Sequence, residues 1–255
     1  MPNFKKLSII IVNYQSELYL QKCLDSLFWY NLGIDFEIVI VNNDEKEKLE
    51  KIKTQFPKVV LINSPKNNGF GVACNLGANH SQGDLLFFLN PDTEILSNNL
   101  SVLLDKFIKN EKIGVLGPKL VTTEGKIQPW CAGKDFSFWE LIKNNFGVIA
   151  SRKIWESESE IQADWVSGAA LLMRRELFDK IGGFDENFFM YGEDVDLCRR
   201  IREKKYEVRL CPQVSILHWG GKSQRNFLKQ KQRYFKSLYY YLKKTAFRKK
   251  PHGNI

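Results

Sequence analysis

Long hydrophobic runs are missing from this 255-residue chain. No stretch reaches the roughly 18 apolar residues of a membrane-spanning helix, so no transmembrane segment is expected. The apolar run Leu7–Val12 is too short for a signal-peptide core and has no small-residue cleavage site behind it, so no secretory leader is expected either. Cysteine is scarce: Cys23, Cys74, Cys131, Cys198 and Cys211 are odd in number, scattered, and form no Cys-x-x-Cys pair. That pattern argues against a disulfide framework or a zinc site and predicts buried thiols in a reducing cytoplasm. Acidic residues are absent from Lys222 to Ile255, a segment with 11 Lys and Arg. The net charge of +9 therefore belongs to a tail, the body is close to neutral, and no nucleic-acid partner is expected. A Gly-x-Gly-x-x-Gly turn is missing after the first apolar run, where Val12-Asn-Tyr-Gln15 stands. This excludes a Rossmann dehydrogenase, and the lack of a Gly-rich, Arg/Lys-bearing loop there argues against a nucleotidyltransferase.

What is present is an ordinary globular composition, 44% hydrophobic and 26% charged, enough for a sizeable core. With no internal repeat and no low-complexity linker, one domain with a C-terminal extension is the economical reading. Apolar runs at 7–13, 36–42, 58–63 and 84–90 read as buried strands. Helical patterns lie between them, at about 17–30 (Leu18, Leu20, Leu24, Leu27 and Phe28 on one face), 44–54 and 69–81. This alternation predicts an α/β fold with a parallel sheet and helices on both faces, whose ligand edge is the carboxyl end of the strands. Asn13, Asn42, Asn43, Asp44, Asn63 and Asn90-Pro91-Asp92 stand at those ends. Further on, 112–121, 165–173 and 206–211 read as strands and 175–181 and 193–204 as helices; 122–160 has no clear period. Residues about 223–245 read as a basic amphipathic helix with Leu228, Phe235, Leu238 and Leu242 on one face, flanked by Tyr234 and Tyr241. That face either lies on an anionic membrane surface or packs on the body.

Three constellations could carry chemistry. Leu89-Asn-Pro-Asp-Thr93 puts a carboxylate where it reaches a divalent cation on phosphates, and is equally ordinary turn chemistry. Phe184–Leu197 holds Asp185, Glu186, Glu193, Asp194 and Asp196 beside four aromatic residues. An apolar wall makes a carboxylate a better base, although acids also suit the first turn of a helix. Asn67–Asn75 contains Gly69-x-Gly71, a weak dinucleotide fingerprint or a loop that lets backbone approach a nucleotide sugar. His218 follows an apolar run and is either a hydrogen-bonded core residue or a ligand; Trp165 is either buried or a face for a sugar ring.

The ordered set Ser8–Tyr14, Asp25–Leu27, Val39–Asn43, Asn67–Gly71 with Asn75, Leu89–Thr93, Trp165–Gly168, Gly182–Glu186, Phe189–Leu197 and His218 resembles glycosyltransferase family 2, the inverting enzymes of GT-A fold, and most of all its bacterial rhamnosyltransferase-like branch. The resemblance covers about residues 7–221. It implies a GT-A domain over 1–221, with a nucleotide-sugar half (about 1–110) and an acceptor half (about 111–221), followed by a helical extension over 222–255. It implies Asp194 as catalytic base with Glu193 beside it, and Asp92 and His218 at an Mg²⁺ or Mn²⁺ site. Val12, Asn13, Tyr14, Glu17, Asn42, Asp44, Asn68, Gly69, Asn75, Asn90 and Asp92 fall on the donor side, and Trp165, Gly168 and Tyr191 on the acceptor side. The sequence departs from the family at Asn42, where aspartate is usual, and at Gln15, where asparagine is common. The implied donor is dTDP-rhamnose, or else a UDP-sugar. The implied acceptor is a glycan, such as a sugar on a polyprenyl diphosphate, met by a peripheral protein on the inner face of the cytoplasmic membrane in surface-polysaccharide (O-antigen) synthesis. The rival class is a non-enzymatic membrane-surface adaptor that uses the basic tail.

Overall fold

Apolar runs free of Gly and Pro build the centre of the sheet. The computed structural model describes residues 6–30, 32–46, 48–135, 149–220 and 227–246, with only the backbone at 227 and 228. In chain order the strands and helices are β1 (Lys6–Asn13), α1 (Glu17–Trp29), β2 (Asp35–Asn42), α2 (Glu50–Gln55), β3 (Val60–Asn63), α3 (Phe70–Asn79), β4 (Leu85–Leu89), β5 (Thr93–Ile95), α4 (Leu100–Lys109) and β6 (Ile113–Val121). They continue with β7 (Ala132–Gly133), α5 (Arg152–Trp155), β8 (Ile161–Ala163), β9 (Trp165–Val166), β10 (Ala170–Arg174), α6 (Arg175–Lys180), α7 (Glu193–Glu203), β11 (Glu207–His218) and α8 (Phe227–Ala246). β1 and β4 are buried on both faces, as central strands of a covered sheet must be.

The main sheet runs β3-β2-β1-β4-β10-β6-β11-β5, with β8 on β11, and β7 pairs with β9 in a small second sheet. The first four strands are parallel. β10 enters antiparallel between β4 and β6, and β6 and β11 are again parallel. The architecture is the expected mostly parallel sheet flanked by helices. The expected polar strand ends share one edge: Asn13, Asn42 and Asn63 stand in register at the ends of β1, β2 and β3.

Several local expectations are corrected. The face of α1 that packs inward is Leu20, Cys23, Leu24 and Leu27, a 3- and 4-residue spacing, whereas Leu18 is 67% exposed and Phe28 is also exposed. The helix expected from 44 starts at Glu50, because Asp44 Oδ1 accepts from Lys46 N–H in an Asx turn and Leu49 is left-handed (φ 55°). The strand expected over 165–173 is broken at Ser167–Ala169. The strand expected to end at Cys211 runs on to His218, because a register shift between Cys211 and Ser215 absorbs Pro212, which has no N–H for the ladder. α4 was legible and not read: Leu100, Leu103, Leu104 and Phe107 are its buried face. All five cysteines are free and buried.

α8 forms where the basic helix was expected, but a different face docks. Ser237 and Tyr241 are buried, while Phe235 is 63% and Tyr239 69% exposed. Docking is polar. Ser237 Oγ donates to Met190 O (2.8 Å), Tyr240 OH to Asp185 (3.0 Å) and Tyr241 OH to Asp135. Lys244 Nζ reaches Asp185 at 2.6 Å and Asp196 at 2.5 Å. Leu228 and the basic residues Lys222, Arg225, Arg248, Lys249 and Lys250 lie outside the described side chains.

Candidate active site

A cleft of about 530 Å³ opens at the carboxyl edge of the sheet. Two carboxylate sites line it, Asp92 from the loop after β4 and Glu193-Asp194 from the first turn of α7.

Asp92 meets His218 because β5 leaves β4 and pairs with the far end of β11, which puts Thr93 opposite His218. Trp219 N–H also donates to Asp92 O (2.9 Å). Both side chains are nearly buried. His218 Nδ1 lies 2.8 Å from Gln128 Oε1 and donates to it. Nε2 stands 3.4 Å from Asn90 Nδ2 and 3.2 Å from Asp92 Oδ1. A cation between Nε2 and Oδ1 would be held by both. One carboxylate and one imidazole nitrogen, its partner nitrogen tied to an amide oxygen, suit Mn²⁺ or Mg²⁺ that takes further oxygens from a diphosphate. Among the described residues no cluster of three or more His, Cys, Asp or Glu encloses a metal on protein ligands alone.

Asp194 is fixed by two backbone donors: Gly168 N–H to Oδ2 at 2.9 Å and Val195 N–H to Oδ1 at 2.8 Å. The break between β9 and β10 supplies the first of them. A Cβ on Gly168 would stand 3.3 Å from the edge of the Phe70 ring, a tight contact, and 3.5 Å from Asp194 Cβ, an ordinary one. Burial pushes the Asp194 carboxyl up, and the N–H groups oppose it. Glu193 is pushed well above the usual carboxylate range by burial and then by the Asp194 charge, and its Oε2 has no hydrogen-bond partner. Both carboxyls are thus raised by burial, and the two N–H groups favour the ionised form of Asp194, a support that Glu193 Oε2 lacks.

The remaining expected residues divide. Val12, Tyr14, Asn90, Trp165, Gly168 and Tyr191 line the same cleft. Glu17 and Asp44 line a separate, shallower depression with Gln15 and Lys46. Asn13 and Asn42 do not line the cleft: Asn13 Nδ2 donates to Asn42 Oδ1 (3.1 Å), and Asn42 Nδ2 donates to Asn63 Oδ1 (3.2 Å) and Asp44 O (3.3 Å). This ladder ties the strand ends together.

Asn67–Asn75 acts as a clamp within the protein. Gly69 (φ 99°) lets the chain approach Phe189 so closely that a Cβ would lie 2.4 Å from Phe189 O, and Phe70 N–H donates to that oxygen at 3.0 Å. Asn75 accepts from Phe184 N–H (2.8 Å) and donates to Phe184 O and Glu186 Oε1 (both 3.0 Å). The loop thus lets backbone approach backbone, and it holds the segment that carries Glu193-Asp194. Asn68 is half-buried in this loop, and its neighbour Asn67 lines the cleft.

Gln128, Trp130, Ser167, Gln230, Arg233 and Tyr234 also line the cleft and were not singled out, although the stretch 122–160 reads as an excursion that could form part of an acceptor pocket. Trp130, with its left-handed backbone (φ 62°), carried no local signal. The cleft-facing residues of α8 could have been found by testing Gln230, Arg233 and Tyr234 as a 3- and 4-residue face.

Comparison with known proteins agrees with this geometry. Residues 8–182 match the sequence profile described as glycosyl transferase family 2, and residues 151–221 the one described as the N-terminal domain of galactosyltransferase. The chain is 27% identical over 234 residues to an N-acetylglucosaminyl-diphospho-decaprenol L-rhamnosyltransferase of Mycobacterium tuberculosis, covering 83% of this chain and 75% of that protein. It is 26% identical over 251 residues to the rhamnosyltransferase WbbL of Escherichia coli, covering 92% and 91%. A mannosyltransferase of Pyrobaculum calidifontis, solved with GDP-Man and Mn²⁺, matches with a TM-score of 0.65 at 16% identity, over 96% of this chain and 65% of that one. The chain spans between half and two thirds of the length of the first solved structures it matches, and that likeness is one of fold.

Proposed function

The chain belongs to glycosyl transferase family 2, and on that premise we propose that it is an inverting, metal-dependent hexosyltransferase that moves rhamnose from dTDP-rhamnose to a sugar on a polyprenyl diphosphate in bacterial surface-polysaccharide synthesis. The observation that carries this reading is one cleft lined both by Asp92 with His218 and by Asp194 with Glu193. Asp194 takes the proton of the acceptor hydroxyl as that oxygen attacks the anomeric carbon. Its two backbone donors hold the carboxylate in place, and the burial of Glu193 beside it favours the neutral form of that neighbour. A single displacement inverts the anomeric centre and needs no covalent intermediate. When bound by Asp92 and His218, Mg²⁺ or Mn²⁺ supplies Lewis-acid stabilisation of the leaving diphosphate. Gln128 holds the His218 tautomer that offers Nε2.

In this reading residues 1–110 form the donor half, with Val12, Tyr14 and Asn90 beside the nucleotide, and residues 111–221 the acceptor half, with Trp165, Gly168 and Tyr191. The rhamnosyltransferase relatives support rhamnose, and the decaprenol-linked substrate in one relative's name supports a lipid-linked acceptor. No described helix is long and apolar enough to cross a membrane. The outward face of α8, with exposed Phe235, Tyr239, Lys229, Lys231, Lys236 and Lys243, suits peripheral attachment to an anionic bilayer, the inner face of the cytoplasmic membrane in this proposal.

The test is transfer from dTDP-rhamnose and from a panel of UDP-sugars to N-acetylglucosaminyl-diphospho-undecane with Mn²⁺, with the anomeric configuration of the product read by NMR. Inverted rhamnoside product supports the proposal. Transfer from UDP-sugars alone moves the donor assignment, and vesicle binding with no transfer from any nucleotide sugar leaves a membrane-surface adaptor.

A further inference from the structure

Arg233 is the sole Lys or Arg among the described residues that line the cleft. It stands on α8, half-buried, with its guanidinium 4.5 Å from the centroid of the Phe189 ring. It forms no ion pair with a described residue, whereas Lys244, further along the same helix, is paired with Asp185 and Asp196. Stacking uses the face of a guanidinium and leaves its in-plane N–H donors unconsumed. A half-buried cation whose donors no described carboxylate takes is a site for an anion, and the planar fork of arginine matches phosphate oxygens.

We infer that Arg233 binds the diphosphate of the lipid-linked acceptor, an inference that rests on the acceptor class proposed above. Its place on α8 decides between the two diphosphates of the reaction. The donor's diphosphate belongs with Asp92 and His218, which come from β4, β5 and β11. Arg233 comes from the opposite source, the helix that adds Gln230 and Tyr234 to the cleft and meets Tyr191 through a 2.9 Å hydrogen bond from Gln230. Two residues on, Phe235 turns outward with Tyr239. In a polyprenyl-diphosphate sugar the order is sugar, diphosphate, hydrocarbon chain. The protein offers the same order: Asp194 in the cleft, Arg233 on the helix at its wall, exposed aromatic residues on the helix's outer side.

Two acceptors with the same alkyl chain separate the possibilities: N-acetylglucosaminyl-diphospho-undecane, and undecyl N-acetylglucosaminide, which lacks the diphosphate. The readout is the wild-type preference, the ratio of kcat/KM for the first to that for the second. Arg233→Gln should lower this ratio about 10- to 100-fold, the worth of a charge-assisted hydrogen-bonded pair, mainly through KM. Arg233→Lys should restore part of it. The Kd of dTDP-rhamnose and flotation on anionic vesicles should stay within twofold of wild type. An unchanged ratio overturns the inference. So does a loss confined to donor binding, or a loss of flotation, which would assign the guanidinium to lipid headgroups. Calorimetric binding of the diphosphate acceptor, with no turnover, keeps this separate from the enzymatic reading. If wild type transfers nothing yet binds it at least 10-fold better than Arg233→Gln does, the activity proposal fails and Arg233 stands. If wild type does not bind it, Arg233 fails.

Discussion

Asp194 and Glu193 are adjacent in sequence, yet their environments differ, and on that ground different tasks are proposed for them. Asp194 receives two N–H groups and Glu193 receives none at Oε2. Asp194→Asn is expected to lower turnover by roughly 10²–10⁴-fold while donor affinity stays near wild type, measured by transfer kinetics beside nucleotide binding. Near wild-type turnover would reassign the base. The Asp92–His218 pair makes a different prediction. Asp92→Ala should abolish the Mn²⁺-dependent part of nucleotide-sugar affinity. Gln128→Ala, which frees the His218 ring, should weaken it about 10- to 100-fold. Titration of donor with and without Mn²⁺ reads both, and equal affinity with EDTA present in wild type would dismiss the pair as a metal site. Asp92 and Asp194 were both singled out in the sequence, and the structure puts both in one cleft. Gln128 was not, since nothing near it in the chain tells which histidine it will meet.

Among the elements, the loop into α3 and the helix α8 hold the segment that leads into the Glu193-Asp194 turn. Gly69→Ala places a Cβ against Phe189 O and forces φ 99° on a residue that resists it. A loss of at least about 1–3 kcal/mol is expected from the backbone conformation alone, together with reduced turnover, read by denaturant unfolding and transfer assays. Wild-type stability in this variant would show that the approach is not needed. On the α8 side, burial pushes the Asp185 carboxyl up, but Lys244 and the Asn187 donors outweigh it and hold it at about 2. A carboxyl lowered in the folded state contributes stability above its unfolded value of about 3.9, and loses it as pH falls through the folded value. Lys244→Met should therefore be less stable than wild type, with the full difference present above about pH 4 and shrinking towards pH 2. A difference independent of pH would point to packing alone. The amphipathic character of α8 was readable from its spacing. Its docked face was not: Ser237 and Tyr241 go inward because Met190 O and Asp135 await them, and Phe235 goes outward.

At the scale of the molecule, charge is divided between a near-neutral body and a basic C-terminal segment, so attachment to an anionic surface would fall to α8 and the residues after it. The exposed lysines, each worth about 1 kcal/mol near an anionic bilayer, add to the aromatic face. Phe235→Ser with Tyr239→Ser should reduce flotation on anionic vesicles, with binding falling further as salt rises and thermal stability unchanged, since both side chains are already exposed. Flotation equal to wild type would leave α8 as a wall of the cleft only.

Periodicity and composition were enough for the α/β architecture, the buried strands, the ligand edge and the buried thiols, because each depends on residues close together in the chain or on its overall balance. The same spacing sufficed for the Asn-Pro-Asp turn and the Glu-Asp pair. Only the tertiary structure decided that β10 enters the sheet antiparallel and that β5 pairs with β11, which puts Asp92 beside His218. It also decided that Asn42 is spent on Asn13 and Asn63, that Asn75 clamps Phe184, and that Arg233 on α8 reaches the cleft. These are contacts between residues far apart in sequence. Their partners are set by how whole elements pack, and a local pattern of side chains carries no record of which element will lie across from it.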